Sequence, residues 1–272
     1  MKVELSGVPE TLLWTLYYRA TEARRPDAVI DDPRAVELLE TIDYPFDERF
    51  GPSQGPQAQW QALRARCFDD QVRDFMGRCP GGTVVALGEG LETGFWRVDD
   101  GRVRWLTVDL PETLAVRREL LGDDPPRRRS IACSATDERW IDEVDPSDGV
   151  LVTAQGLLMY LRREEVDGIV RACARRLPGA TLVFDTAPRW FALLAQRGAL
   201  RTPAGYVAPP MPWGWDVVER LRFERAHPEI ARLDELPLPV GRGVTGLAIP
   251  LLSRLPLLRE VSLVVVRAEL RR

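Results

Sequence analysis

Of the 37 basic residues in this chain, only Lys2 is a lysine. A guanidinium keeps its proton at any working pH, so catalysis by a lysine base or Schiff base is excluded. Histidine is nearly as scarce, with His227 alone in 272 residues, and its place late in the chain points to a structural or surface role. The four cysteines (Cys67, Cys79, Cys133, Cys173) stand far apart and form no C-x-x-C pair. Zinc sites draw on several Cys and His ligands at set spacings, so no metal is expected. No apolar run approaches the roughly 18 residues that a membrane helix needs. Residues 1–10 lack a basic region followed by an apolar stretch. These absences lead us to expect a cytoplasmic protein with reduced thiols and no membrane partner.

An excess of positive charge is missing too: 37 Lys and Arg against 41 Asp and Glu give a net charge of −4 and a pI near 5.4. Nucleic-acid binding needs concentrated basic charge, so it is not expected. The densest basic run, Arg127-Arg128-Arg129, follows Asp123-Asp124 and reads as a solvated loop or an anion or partner contact. With 45% hydrophobic and 29% charged residues, disorder and disulfide scaffolds are excluded. The length suits a single large α/β domain. We divide it into a helical cap (1–80), a cofactor-binding core (81–185), and a lid insertion with C-terminal strands (186–272). Nothing in the sequence sets the oligomeric state.

What is present begins with helical periodicity. Leu12, Leu13, Leu16 and Ala20 recur at helix spacing. Asp32-Pro33 supplies an N-cap and first-turn proline for a second helix through Leu39, and after a loop at Gly51–Gln57 the period resumes from Trp60 to Met76. From Thr83 the pattern changes to short β-branched runs at Thr83–Leu87, Val103–Val108, Ser130–Cys133, Val150–Thr153 and Thr181–Asp185. Helical stretches at Glu112–Leu121 and Arg163–Arg176 fall between them, which implies βαβ crossovers and a mainly parallel sheet. Val261–Val266 reads as a closing strand.

The first strand runs directly into Gly88-Glu89-Gly90-Leu91-Glu92-Thr93-Gly94. Glycines there remove the Cβ atoms that would keep a backbone from a bound cofactor, although a purely structural turn uses them equally well. The G-x-G-x-x-x-G spacing departs from the dinucleotide G-x-G-x-x-G and counts against NAD or FAD. Asp109 ends the second strand 19 residues after Gly90, where a carboxylate can accept both hydroxyls of a ribose or serve as a helix cap. Leu110 follows it. Thr136-Asp137 comes after the third strand and Gln155-Gly156 after the fourth, so both are expected at the carboxyl-end crevice. Asp137 suits the exocyclic amine of an adenine, or an N-cap for the stretch through Trp140.

Val8-Pro9-Glu10-Thr11, Asp32-Pro33, Arg64-Ala65-Arg66 with Asp69-Asp70, the Leu87–Arg97 run, Val108-Asp109-Leu110-Pro111-Glu112 and Gly156-Leu157-Leu158-Met159-Tyr160-Leu161 occur in that order. This ordered set, with Met211-Pro212-Trp213-Gly214 beyond it, resembles the leucine carboxyl methyltransferase family, in particular its bacterial branch of tetracenomycin-type polyketide O-methyltransferases. The resemblance implies a class I methyltransferase fold: a Rossmann-like, mostly parallel seven-stranded sheet with its last strand antiparallel. It also implies S-adenosylmethionine (SAM) as cofactor. By the same resemblance Arg64 would meet the cofactor carboxylate, Gly88 the methionine portion, Asp109 the ribose, and Asp137 with Glu138 the adenine region. Read without it, Arg64 is a surface helix residue.

The sequence departs from the family pattern at three places. Gln155 stands where Glu is usual, Leu91-Glu92-Thr93-Gly94 where Leu-Asp-Thr-Arg is common, and Glu89 where Cys or Ala is usual. Gln155 can still accept a hydrogen bond; a Gln155→Glu change is expected to tighten SAM binding if the residue faces the cofactor's positive groups, or to raise KM if it faces a carboxylate substrate.

Methyl transfer needs a dedicated base only when the acceptor carries a proton at working pH. The shortage of bases favours an acceptor already ionised, a carboxylate or acidic hydroxyl on a small, polyketide-like molecule. Tyr160 and Tyr17 are the catalytic candidates, as hydrogen-bonding partners in the pocket or else as core packing. Trp213 and Trp215 form a lid over a flat substrate or pack a proline-rich loop. Two alternatives stay open: a SAM-binding protein with a non-methylating role such as cyclisation, and a methyltransferase for protein C-terminal carboxylates.

Overall fold

The computed structural model describes residues 2–3, 5–53, 55–244, 246–247 and 263–272. Four helices precede the first strand: α1 (Thr11–Ala23), α2 (Pro33–Thr41), α3 (Phe46–Phe50) and α4 (Pro56–Arg78). The apolar stripe of α1 is fully buried at Leu13, Leu16 and Ala20. Asp32 caps α2 as its position predicts, accepting from the Ala35 amide at 3.1 Å with Pro33 in the first turn. Helix α4 starts earlier than the periodicity indicates because Pro56 takes its first turn, which shortens the loop. Aromatic rings of α1 and α3, chiefly Tyr17, Phe46 and Phe50, bind the cap together and receive Tyr206 from far along the chain.

Seven strands follow: β1 (Thr83–Leu87), β2 (Arg104–Asp109), β3 (Arg128–Ala132), β4 (Val150–Ala154), β5 (Thr181–Thr186), β6 (Ile230–Leu236) and β7 (Val264–Leu270). They form one sheet in the order β3-β2-β1-β4-β5-β7-β6. The first five are mutually parallel, and β7 runs antiparallel to both neighbours. Every residue of β1, β4 and β5 is buried, as in strands covered on both faces. Between strands lie α5 (Gly94–Val98), α6 (Pro111–Leu121), α7 (Arg163–Arg176), α8 (Arg189–Gln196) and α9 (Val217–Ala226). Val261 and Ser262 lie outside the described residues, and β7 starts at Val264.

Among the described residues no helix is long and apolar enough to cross a membrane, and no His/Cys/Asp/Glu group could hold a metal ion. His227 is almost fully buried, its ring nitrogens 2.7 Å from Asp167 and 2.9 Å from Glu229, so it joins α7 to the start of β6.

Candidate functional site

The strand order reverses between β1 and β4, and a cavity of about 300 Å³ opens at their carboxyl ends. That is the expected place for a ligand in an open parallel sheet. Gly88 and Gly90 shape its floor, both in the left-handed region at φ 60° and 54°. A Cβ on Gly88 would lie 2.9 Å from the Leu157 side chain, and one on Gly90 would lie 3.1 Å from that of Leu12. Side chains there would therefore close the gap between the turn, the segment after β4 and the cap.

Asp109 locks this turn onto β2. Its Oδ2 accepts from the Gly90 amide at 2.7 Å and its Oδ1 from the Leu110 amide at 2.8 Å. Burial raises the Asp109 pKa and outweighs these two amides. Glu89 also borders the cavity, but its carboxylate is engaged by Thr107, by Arg128 at 3.1 Å and by Arg117 at 3.4 Å. Burial pushes the Arg117 guanidinium down to about 10. Arg128 is likewise buried and also pairs with Asp124, so at this residue the basic run is a support beneath the glycine turn and not a solvated loop.

Arg64 lines the cavity from α4 and is buried, not a surface helix residue. Its Nη1 donates to Asp185 Oδ2 at 2.7 Å, and Asp185 Oδ1 accepts from the Gly156 amide at 2.6 Å. Among the described residues its buried Nε has no hydrogen-bond partner. Asp185, at the end of β5, was not singled out from sequence, although it is a strand-end carboxylate like Asp109.

Gln155 donates from Nε2 to Glu92 Oε2 at 3.0 Å. Glu92 also pairs with Arg19 at 2.8 Å and with Arg97 at 2.7 Å. Burial opposes the Glu92 charge, yet the two guanidiniums prevail and hold its carboxyl down at about 2. Arg97 continues to Asp69 and Asp32, so this network ties α1, α2 and α4 to the glycine turn. Its members other than Gln155 were missed as site residues, since single charges far apart in sequence carry no local pattern.

Several expected residues lie elsewhere. Thr136, Asp137 and Glu138 do not line the cavity; Cys133, Ser134 and Ala135 border it after β3 instead. Asp137 accepts from the Arg139 amide at 3.0 Å and caps the 3₁₀ turn Glu138–Glu143, while Glu138 pairs with Arg175 at 2.6 Å. Local capping thus takes the carboxylate that the adenine reading needed. Tyr160 lines the cavity, and burial pushes its hydroxyl up to about 12. Tyr17 does not line it, because its hydroxyl bonds Asp47 inside the cap. Trp213 and Trp215 are also outside the lining. Trp213 donates to the Leu158 carbonyl at 2.9 Å, and Trp215 stacks edge-on against Phe184 and Phe223, contacts that match the packing reading.

Residues 13–174 match the leucine carboxyl methyltransferase family. The tetracenomycin polyketide synthesis O-methyltransferase TcmP of Streptomyces glaucescens is 33% identical over 79% of this chain and 77% of its own length. An S-adenosyl-L-methionine-dependent methyltransferase of Gibberella zeae, dpfgK, is 31% identical over 62% of this chain and 61% of its own. Among solved structures, a Thermobifida fusca protein described as a methyltransferase superposes with a TM-score of 0.53 at 15% identity, covering 95% of this chain and 94% of that one.

Proposed function

The chain belongs to the leucine carboxyl methyltransferase family and is a SAM-dependent methyltransferase, and from that premise we propose that it methylates a carboxylate or acidic hydroxyl of a small, polyketide-like molecule. The residues of the cavity fit the cofactor. The partnerless Nε of buried Arg64 is a donor awaiting an acceptor, which a carboxylate supplies through two parallel hydrogen bonds. The Gly88–Gly90 turn leaves the room that Cβ atoms would fill. Asp109 and Leu110 would hold the ribose side, Gly88 and Gly156 the methionine portion, and the Cys133–Ala135 edge would border the base. Bound SAM supplies a methyl group already activated on a sulfonium.

The observation that carries the reading is the lack of a base. The described cavity lining contains no histidine or lysine. Burial raises the pKa of the Cys133 thiol and of Tyr160, so both stay protonated. Glu89, Glu92 and Asp69 are tied to arginines, and Asp109 to two amides. Such a site suits an acceptor that arrives ionised, and its task is to orient that oxygen and exclude water. Val8, Pro9, Leu12, Leu157 and Leu161 give the lining apolar surface that suits a small hydrophobic body. The TcmP relative, named for polyketide synthesis, supports the same class.

Incubation with SAM and a panel of aromatic carboxylic acids, acidic phenols and a peptide with a free C-terminus tests this. S-adenosylhomocysteine should form with the small ionised acceptors and not with the peptide. Bound cofactor without product on any small acceptor would overturn the proposal and favour a non-methylating role.

A further inference from the structure

Gln155 follows β4 directly, borders the cavity and gives its Nε2 hydrogen to Glu92 at 3.0 Å. The acceptor capacity of Glu92 is otherwise taken by Arg19 at 2.8 Å, Arg97 at 2.7 Å and the Thr93 amide at 2.9 Å. With its carboxyl held at about 2, Glu92 accepts and never donates. A primary amide has one donating and one accepting end, so only the NH₂ of Gln155 can face this anion. The chemistry of the pair alone therefore fixes the sense of the amide. Its carbonyl oxygen becomes the end turned from Glu92, and among the described residues it has no hydrogen bond.

Arg19 and Arg97 face three carboxylates, Glu92, Asp32 and Asp69, and Arg117 adds a third guanidinium, its Nη1 donating to the Glu92 backbone carbonyl at 2.8 Å. On the other side, next to Gly156, Arg64 and Asp185 compensate one another, and Tyr160 is protonated.

Resting on the placement of SAM in this cavity, we infer that Glu92 is a positioning residue for the cofactor. It holds the Gln155 amide with its carbonyl oxygen presented to the cofactor's ammonium group, so that a neutral dipole fixed by Glu92 serves that group. A Glu at position 155 is then no simple gain of charge. It would set two carboxylates side by side, and one would keep a proton.

Thermal melts of the ligand-free protein and calorimetric SAM binding test this without any methyl acceptor. In Gln155→Glu the retained proton raises a folded-state pKa above the unfolded value, so stability is lost as pH rises. Its melting temperature should match wild type near pH 5 and fall several degrees below it by pH 8. Parallel curves would overturn the contact. Gln155→Met keeps length and removes both ends of the amide, leaving Glu92 its arginines. It should melt close to wild type and bind SAM about tenfold or more weakly, as loss of a charge-assisted hydrogen bond predicts. Equal affinity would overturn the presented carbonyl. A wild type that binds SAM yet transfers no methyl group would sink the acceptor proposal and leave this inference standing; one that binds no SAM would sink this inference.

Discussion

Arg64 Nη1 lies 2.7 Å from Asp185 Oδ2, joining α4 to the last residues of β5 across 121 positions of sequence. A guanidinium held by one nitrogen keeps its plane and offers another edge in a fixed direction, which an ammonium cannot do. Arg64→Lys should therefore weaken SAM binding about tenfold or more while leaving the fold intact. Decarboxylated SAM, which has no group for that edge, should bind both proteins alike. Equal weakening for the two ligands would remove the carboxylate contact.

Asp109 holds the Gly90 and Leu110 amides, and in the proposed placement of SAM it meets the ribose. Asp109→Ala removes the ribose contact and loosens the turn together. We expect SAM affinity to fall by roughly 2–4 kcal/mol, on the order of 30- to 1000-fold. Calorimetry on the two proteins reads this directly, and unchanged affinity would take Asp109 out of the site.

Gly214 sits where the chain passes the start of α8, and a Cβ there would come within 2.5 Å of the Arg189 Cα. Backbone atoms cannot swing aside as a side chain does. Gly214→Ala should cost about 1–3 kcal/mol, lowering the melting temperature by a few to about ten degrees. Gly168, in α7, has nothing within 4 Å of its added Cβ, so Gly168→Ala should be neutral or stabilising by up to about 1 kcal/mol. Similar melting shifts for both would refute the steric account.

Tyr160 gives the pH prediction. Burial pushes its hydroxyl up to about 12, so it remains protonated through the neutral range. The rate of methyl transfer should rise with pH only as the acceptor ionises, then stay level to pH 9. Tyr160→Phe should lower the rate without moving that inflection. An inflection that disappears in the phenylalanine variant would make Tyr160 the titrating group.

Features with local causes were legible in the sequence. Asp32-Pro33 starts a helix, glycines after a β-branched run make a turn, and a carboxylate ending a strand lies at the crevice. Strand β6 was not seen, because Arg232, Asp234 and Glu235 interrupt its apolar alternation at the sheet edge. Asp137 follows the proper strand, but its nearest donors belong to Arg139 two residues on, and a local turn took it. The Arg64–Asp185 and Glu92–Gln155 pairs have no signature of this kind. They exist only once α4, β4 and β5 are brought side by side.

The Asp32 carboxylate caps α2 through Ala35, accepts from Thr93, and pairs with Arg19 and Arg97. One side chain thus belongs at once to the cap and to the glycine turn. A cap exchanged for one without a carboxylate at the Asp32 position would take a partner from Arg19 and Arg97 in the interior, at a cost of several kcal/mol. Cap and turn therefore constrain one another, and recombination that trades the N-terminal helices among relatives should succeed only where the incoming cap keeps this carboxylate or brings its arginine partners with it.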